Sequence, residues 1–230
     1  MLRRVFGKRQ SVPIGSLGAD SETETETVSL SMDDIARYVK AAVRRRGYPD
    51  DSFDMIARRV CFLERRGLPG FSALIREIIL NAHETMDERI GVKRPNGFEG
   101  GRCPIMESVM LNEHLPRFAA LPEGKVQATP APSNPVLILP KLAGYAGPHG
   151  VVFIMIYSRD GEETARSFVD GFRVAHYGST DALFESDTIG YAACPDEWLD
   201  DVNLRAGYVD RVDVTARLVS RLSAFIEDGR

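Results

Sequence analysis

The chain has 230 residues, of which 43% are apolar and 27% charged, and its formal net charge is -4. That is enough apolar material for one large domain, or for one domain with a small helical companion, and no apolar run nears the ~18–20 residues of a spanning helix. With 33 Asp and Glu against 29 Lys and Arg, a polyanion partner is disfavoured, so neither nucleic acid nor membrane is expected.

Residues 1–27 read as a disordered tail. Arg3, Arg4, Lys8 and Arg9 stand there without an acid, and Glu then alternates with Thr up to Thr27. An Arg-rich, acid-poor start is also how an organellar transit peptide begins, but the acidic tract follows quickly. From Ser31, an N-cap with Asp34 three positions on, Ile35, Val39, Ala42 and Val43 make one apolar stripe that ends at Gly47. Asp50 or Asp51 opens a second helix with Phe53, Ile56, Ala57, Val60 and Leu63 inward, closed by Gly67. A third, from Pro69-Gly70, carries Phe71, Leu74, Ile75, Ile78, Ile79 and Ala82 at helical spacing. These three predict a helical subdomain over 28–90. Its basic runs, Arg44-Arg45-Arg46, Arg58-Arg59 and Arg65-Arg66, suit helix C-termini, where cations complement the dipole; an anion-attracting surface is the alternative.

Residues 91–230 are expected to form an α/β domain, giving an α+β chain in which a mixed sheet with flanking helices follows the helical part. A loop of Gly91, Pro95, Gly97, Gly100 and Gly101 leads into a helix at about 105–120. Strands are predicted near 125–129, 151–157, 172–177, 188–193 and 207–213, with a last helix from Val214 to Ile226. Between the first two strands, Pro135 and the apolar run Val136 to Ala146 predict a helix, stopped by Gly147-Pro148-His149-Gly150. Asp160-Gly161, Asp170-Gly171 and Gly178-Ser179 mark turns of antiparallel pairs.

Reactive motifs are scarce. His83, His114, His149 and His176 lie in four segments, none with a metal-ligand spacing, and there is no nucleophile elbow, dinucleotide fingerprint or Walker loop. No cofactor and no metal is therefore expected. Cys61, Cys103 and Cys194 are odd in number and widely spaced, which predicts reduced thiols in a cytoplasmic protein. The Cys-Pro dipeptides at 103 and 194 offer haem regulation as a minor alternative. Trp198 fits core anchoring and ligand stacking equally. Gly100-Gly101-Arg102-Cys103 can cradle a carboxylate or phosphate with free amides and one guanidinium. Together with the helix start at Ser133-Asn134, it gives the candidate ligand site: Gly101, Arg102, Cys103, Ser133 and Asn134.

Two resemblances follow from these segments. Ser29-Leu30 at a helix opening, the Arg66-Gly67-Leu68-Pro69-Gly70 turn, Cys103-Pro104-Ile105 and Asn134-Pro135-Val136-Leu137-Ile138-Leu139-Pro140 resemble an uncharacterised bacterial domain-of-unknown-function family, which implies no mechanism. The three-helix opening and its Arg-Gly turn are also similar to the start of the non-Rossmann malate/L-lactate dehydrogenase family. Its members reduce 2-oxo or cyclic imino acids with a nicotinamide cofactor. Where that family continues into Ser-His-Gly with a catalytic histidine, this chain has Gly70-Phe71-Ser72. A second family segment falls on Ala131 to Val136, where Ser133 and Asn134 are retained and proline replaces the histidine. Phenylalanine and proline cannot titrate, so the resemblance implies a degenerate, dehydrogenase-like protein.

The expected function is a non-catalytic protein that binds a small carboxylate, or an accessory subunit of a metabolic enzyme with a protein partner or a second copy. The alternative is a reductase or lyase acting on a small 2-oxo or imino carboxylate, with Arg102 clamping the carboxylate and His149 or Cys103 as acid or base. A DNA-binding module built on the basic helices ranks last, because no helix-turn-helix spacing stands out.

Overall fold

Ser31 Oγ accepts the Asp34 amide at 3.2 Å while the Asp34 carboxylate accepts the Ser31 amide at 3.3 Å, so helix α1 (Met32–Arg46) begins on a reciprocal capping box. It ends on Gly47 in the left-handed conformation, φ 86°. The computed structural model describes residues 26–82, 84, 103–105, 108, 111–122, 125–194 and 210–227. The tail up to 25, residues 91–102 of the Gly/Pro loop, His83 and Trp198 lie outside the described residues.

After a single 3-10 turn at Asp50–Ser52 come α2 (Phe53–Glu64), which buries the stripe its spacing predicts, and α3 (Gly70–Leu80), which buries Phe71, Leu74, Ile75 and Ile78 but leaves Ile79 partly exposed and ends before the exposed Ala82. Val39, Leu63, Leu74 and Phe71 are almost fully enclosed where the three helices meet. Ser29-Leu30 does not open a helix. Thr27–Ser31 is a strand, β1, paired antiparallel with β7 (Arg211–Thr215) in a two-stranded sheet of its own, and the capping box starts α1 only after it. A short strand of this kind depends on a partner far along the chain, so local pattern understates it.

The larger sheet contains β2 (Gln127–Pro130), β3 (Phe153–Arg159), β4 (Glu162–Asp170), β5 (Arg173–Gly178) and β6 (Thr188–Ala193). Its order is β2-β6-β3-β4-β5, and each of these pairings is antiparallel. β4 lies between the two turns read from sequence at 160–161 and 170–171, where no strand was expected. Its first two residues are exposed glutamates, which mask the alternation that Ala165, Ser167 and Val169 then follow on the buried face.

Helix α4 (Leu115–Ala119) follows a 3-10 turn at Leu111–Glu113, so the described part of the helix expected near 105–120 is broken rather than continuous. Likewise Pro135–Ile138 forms a 3-10 turn before α5 (Leu139–His149), which runs through Pro148 and stops at left-handed Gly150. α5 packs on β4 and α2. Its Gly147 meets the β4–β5 turn so closely that a Cβ on Gly171 would lie 2.8 Å from the Gly147 Cα. Helix α6 (Ala216–Glu227) closes over α1 and α3. Residues of the helices and of the sheet's inner face, among them Ile35, Leu74, Leu142, Met155 and Tyr191, belong to one continuous core.

Candidate functional site

α3 carries a carboxylate on its buried side: Glu77, only 2% exposed. Its Oε2 accepts Ser133 Oγ at 2.5 Å and Asn134 Nδ2 at 3.1 Å, with Asn81 Nδ2 at the long limit of 3.5 Å. Asn134 itself adopts the left-handed conformation, φ 51° and ψ 54°, donates its amide to the Phe184 carbonyl and caps the 3-10 turn that leads into α5. Two residues expected to meet a small acid therefore meet the protein's own carboxylate. Gly101 and Arg102 lie outside the described residues. Cys103 is fully buried, its Sγ 3.2 Å from the Tyr48 hydroxyl just past the end of α1.

Five positions after Cys103, the fully buried Ser108 donates its hydroxyl to the Ile105 carbonyl and accepts Arg59 Nη1 at 2.5 Å. Arg59 sits at the edge of the buried stripe of α2, three positions after Ile56 and four before Leu63. α5 packs against α2 and brings Lys141, in its first turn, within electrostatic reach of Arg59. Burial pulls the pKa of both groups down, and for Lys141 the Arg59 charge adds to it. Neither cation forms an ion pair with a carboxylate among the described residues. Half-buried cations normally acquire a counter-charge, so an anion would be favoured beside them.

A third polar group crosses the sheet. The Tyr157 hydroxyl lies 3.0 Å from Ser167 Oγ, which lies 3.0 Å from His176 Nδ1, and His176 Nε2 is 3.1 Å from the Ser179 carbonyl. The carbonyl can only accept, so Nε2 of the neutral ring carries the proton. Nδ1 then accepts from Ser167, and Ser167 from Tyr157. Burial lowers the histidine pKa, against a smaller upward pull from the Ser179 carbonyl, and raises that of the tyrosine. Ser167 and Tyr157 are fully enclosed, so this line is an internal strut and presents no nucleophile to solvent. The remaining described histidines are ring-stacked: His114 on Phe118, and His149 on Tyr145, whose carbonyl it also meets at 2.8 Å. Among the described residues no group of three His, Cys, Asp or Glu could hold a metal ion.

Glu77, Arg59 and Lys141 did not stand out as a site in the sequence, yet Glu77 and Lys141 left a trace there. Glu77 falls three positions after Leu74, on the apolar stripe, and Lys141 interrupts the apolar run of α5. A charge on a buried face is the signal that an exposed charge run drowns.

No protein-family model matches the chain. No curated protein sequence matches it either. Among solved structures, the chain is similar to malate dehydrogenase from Pyrococcus horikoshii OT3, at 13% identity and a TM-score of 0.37 over 70% of this chain. It spans 53%, about half, of the length of that dehydrogenase. Among the described residues no helix is long and apolar enough to cross a membrane.

Proposed function

We propose that the protein binds a small acid without turning it over, and that Arg59 and Lys141 are the cationic seat. The observation that carries this reading is the half-buried position of both cations with no described carboxylate beside them. In sequence the seat lies near both candidate segments: Ser108 is five positions after Cys103, and Lys141 is in the first turn of α5, which follows the 3-10 turn that Asn134 caps. A binding role agrees with the polar groups of the interior, since Glu77, Tyr157, Ser167 and His176 all spend their hydrogen bonds on other parts of the chain.

Thermal unfolding against a panel of small mono- and dicarboxylates and nicotinamide cofactors tests it, because a ligand bound only by the folded state raises the midpoint. The expected result is a rise with acids and none with the cofactors. A rise with a nicotinamide cofactor, followed by turnover of an oxo or imino acid, would replace this reading with the reductase alternative. A flat response to every acid would remove it.

A further inference from the structure

β5 closes the larger sheet at one edge, and among the described residues only β4 pairs with it. The Ser179 amide donates to the Thr164 carbonyl at 3.1 Å and sets the phase of that ladder: Arg166–Tyr177, Phe168–Ala175 and Asp170–Arg173 are its hydrogen-bonded pairs. The backbone amides and carbonyls of Val174 and His176 therefore face away from β4. Such a row is a template for another strand, and natural edges are blunted by shortness, proline or lysine. The opposite edge, β2, is blunted: it has four residues and ends on Pro130. β5 has six, Arg173-Val174-Ala175-His176-Tyr177-Gly178, with neither proline nor lysine. Apolar surface flanks the row, since Phe172 is 80% and Tyr177 39% exposed. Arg66 Nε donates to the Phe172 carbonyl at 2.7 Å and so holds the turn that presents the Phe172 ring.

The geometry points to β5 of a second copy of this chain as the strand that covers this edge, antiparallel and related by a two-fold axis at Ala175. Val174 then exchanges both backbone bonds with His176 of the second copy, and the two Ala175 residues form the closely spaced, non-hydrogen-bonded pair, where a small side chain suits the approach. Arg173, held by Asp170 at 2.8 Å, comes opposite the Tyr177 ring of the second copy, a cation beside an aromatic face. The Phe172 ring comes opposite Gly178, which has no side chain of its own to fill that place. Both matches occur twice, as a two-fold requires. Moving the axis to His176 sets Arg173 against Ser179 and Ala175 against Tyr177, and loses them. The inference goes beyond the small-acid reading and stands or falls separately from it.

Sedimentation of the full chain over a concentration series tests it. One strand pair is a small interface, so the expected result is a reversible dimer whose fraction rises with concentration. Tyr177→Lys sets a cation against Arg173 of the second copy and should weaken dimerisation about tenfold or more, a step of ~1.4 kcal/mol. Adding Arg173→Glu to Tyr177→Lys restores opposite charges across the axis and should recover the dimer. Phe172→Ser should weaken it without changing a charge, while Leu80→Lys, at an exposed apolar residue at the end of α3, should leave it intact. All four positions are exposed, and thermal unfolding checks that each variant folds. A wild-type monomer at every concentration would overturn the inference. So would a dimer indifferent to Tyr177→Lys and Phe172→Ser, or one that Leu80→Lys weakens as much. Failure of the double variant to recover the dimer would overturn the two-fold at Ala175.

Discussion

The Glu64 carboxylate, at the last residue of α2, accepts the Phe71 amide at 2.6 Å in the first turn of α3. One buried acid thereby joins two helices across the Arg65-Arg66-Gly67-Leu68-Pro69 turn. Two effects oppose each other there. Burial pushes the pKa from 4.5 up to about 7, while the Phe71 and Gly70 amides pull it down, and burial prevails. A folded pKa above the unfolded one means that the folded protein holds the proton more tightly, so this contribution is complete below pH 4.5 and is lost as pH rises through about 7. Its full size is on the order of 3 kcal/mol. Glu64→Gln keeps an acceptor for the Phe71 amide and cannot ionise, so its unfolding free energy should fall less than wild type between pH 5 and pH 8. Urea unfolding at both values decides, and equal pH dependence in the two proteins contradicts the assignment.

His176 works in the opposite direction. Burial holds its folded pKa below the ordinary 6.5, so the stability it contributes is present above that value and is lost as pH falls below it. Protonation also places a proton on Nδ1, where Ser167 now donates, so the Ser167 hydroxyl proton loses its acceptor and must turn away. His176→Gln should flatten the acid limb of the stability profile below pH 6.5 and leave the alkaline limb set by Glu64. Unfolding midpoints followed from pH 5 to 8 would show it; an unchanged acid limb in the variant assigns that limb to other groups.

The same contrast explains what could be read from the chain. Local rules place α1, α2 and α3 well, because Ser31 with Asp34, the apolar stripes and Gly47 act within a few residues of one another. Gly150 ends α5 for the same reason. β1 and β4 were missed because their evidence is non-local: Leu30 pairs with Val212, and the buried alternation of β4 is intelligible only beside β3 and β5. In the site, Ser133 and Asn134 were recognised as donors, but their acceptor, Glu77, comes from a helix more than fifty residues earlier. Residue type is legible in a sequence, whereas the partner that decides its role comes from packing.

Glu77 should accordingly matter more to stability than an ordinary glutamate on a helix. Replacing it with Leu removes the acceptor that the exposed Ser133 Oγ and the buried Asn134 Nδ2 share. The expected loss is about 2–4 kcal/mol. Glu77→Gln retains one acceptor oxygen at the same reach and should lose clearly less. Chemical unfolding of the two variants separates the effects. A Leu variant within ~0.5 kcal/mol of wild type would mean that the cluster is solvated rather than structural.

Gly178 and Gly150 both have positive φ, 107° and 62°, but only one of them is confined. A Cβ at Gly178 would lie 2.5 Å from the Thr164 carbonyl oxygen and 2.7 Å from the Ala165 Cα, both backbone atoms of the neighbouring strand, while a Cβ at Gly150 meets nothing within 4 Å. Gly150→Ala should therefore cost only the left-handed penalty, about 1 kcal/mol. Gly178→Ala adds a collision that the paired strand can relieve only by giving up pairing at its end, so its loss should be at least about twice as large. The displacement also falls between His176 and the Ser179 carbonyl that fixes the ring's tautomer. Gly178→Ala should then disturb the acid limb assigned to His176 as well, whereas Gly150→Ala should lower stability equally at every pH. Unfolding curves of both variants at pH 5.5 and 8 test the pair, and equal losses with unchanged pH profiles would show that β5 does not approach β4 as closely as the geometry requires.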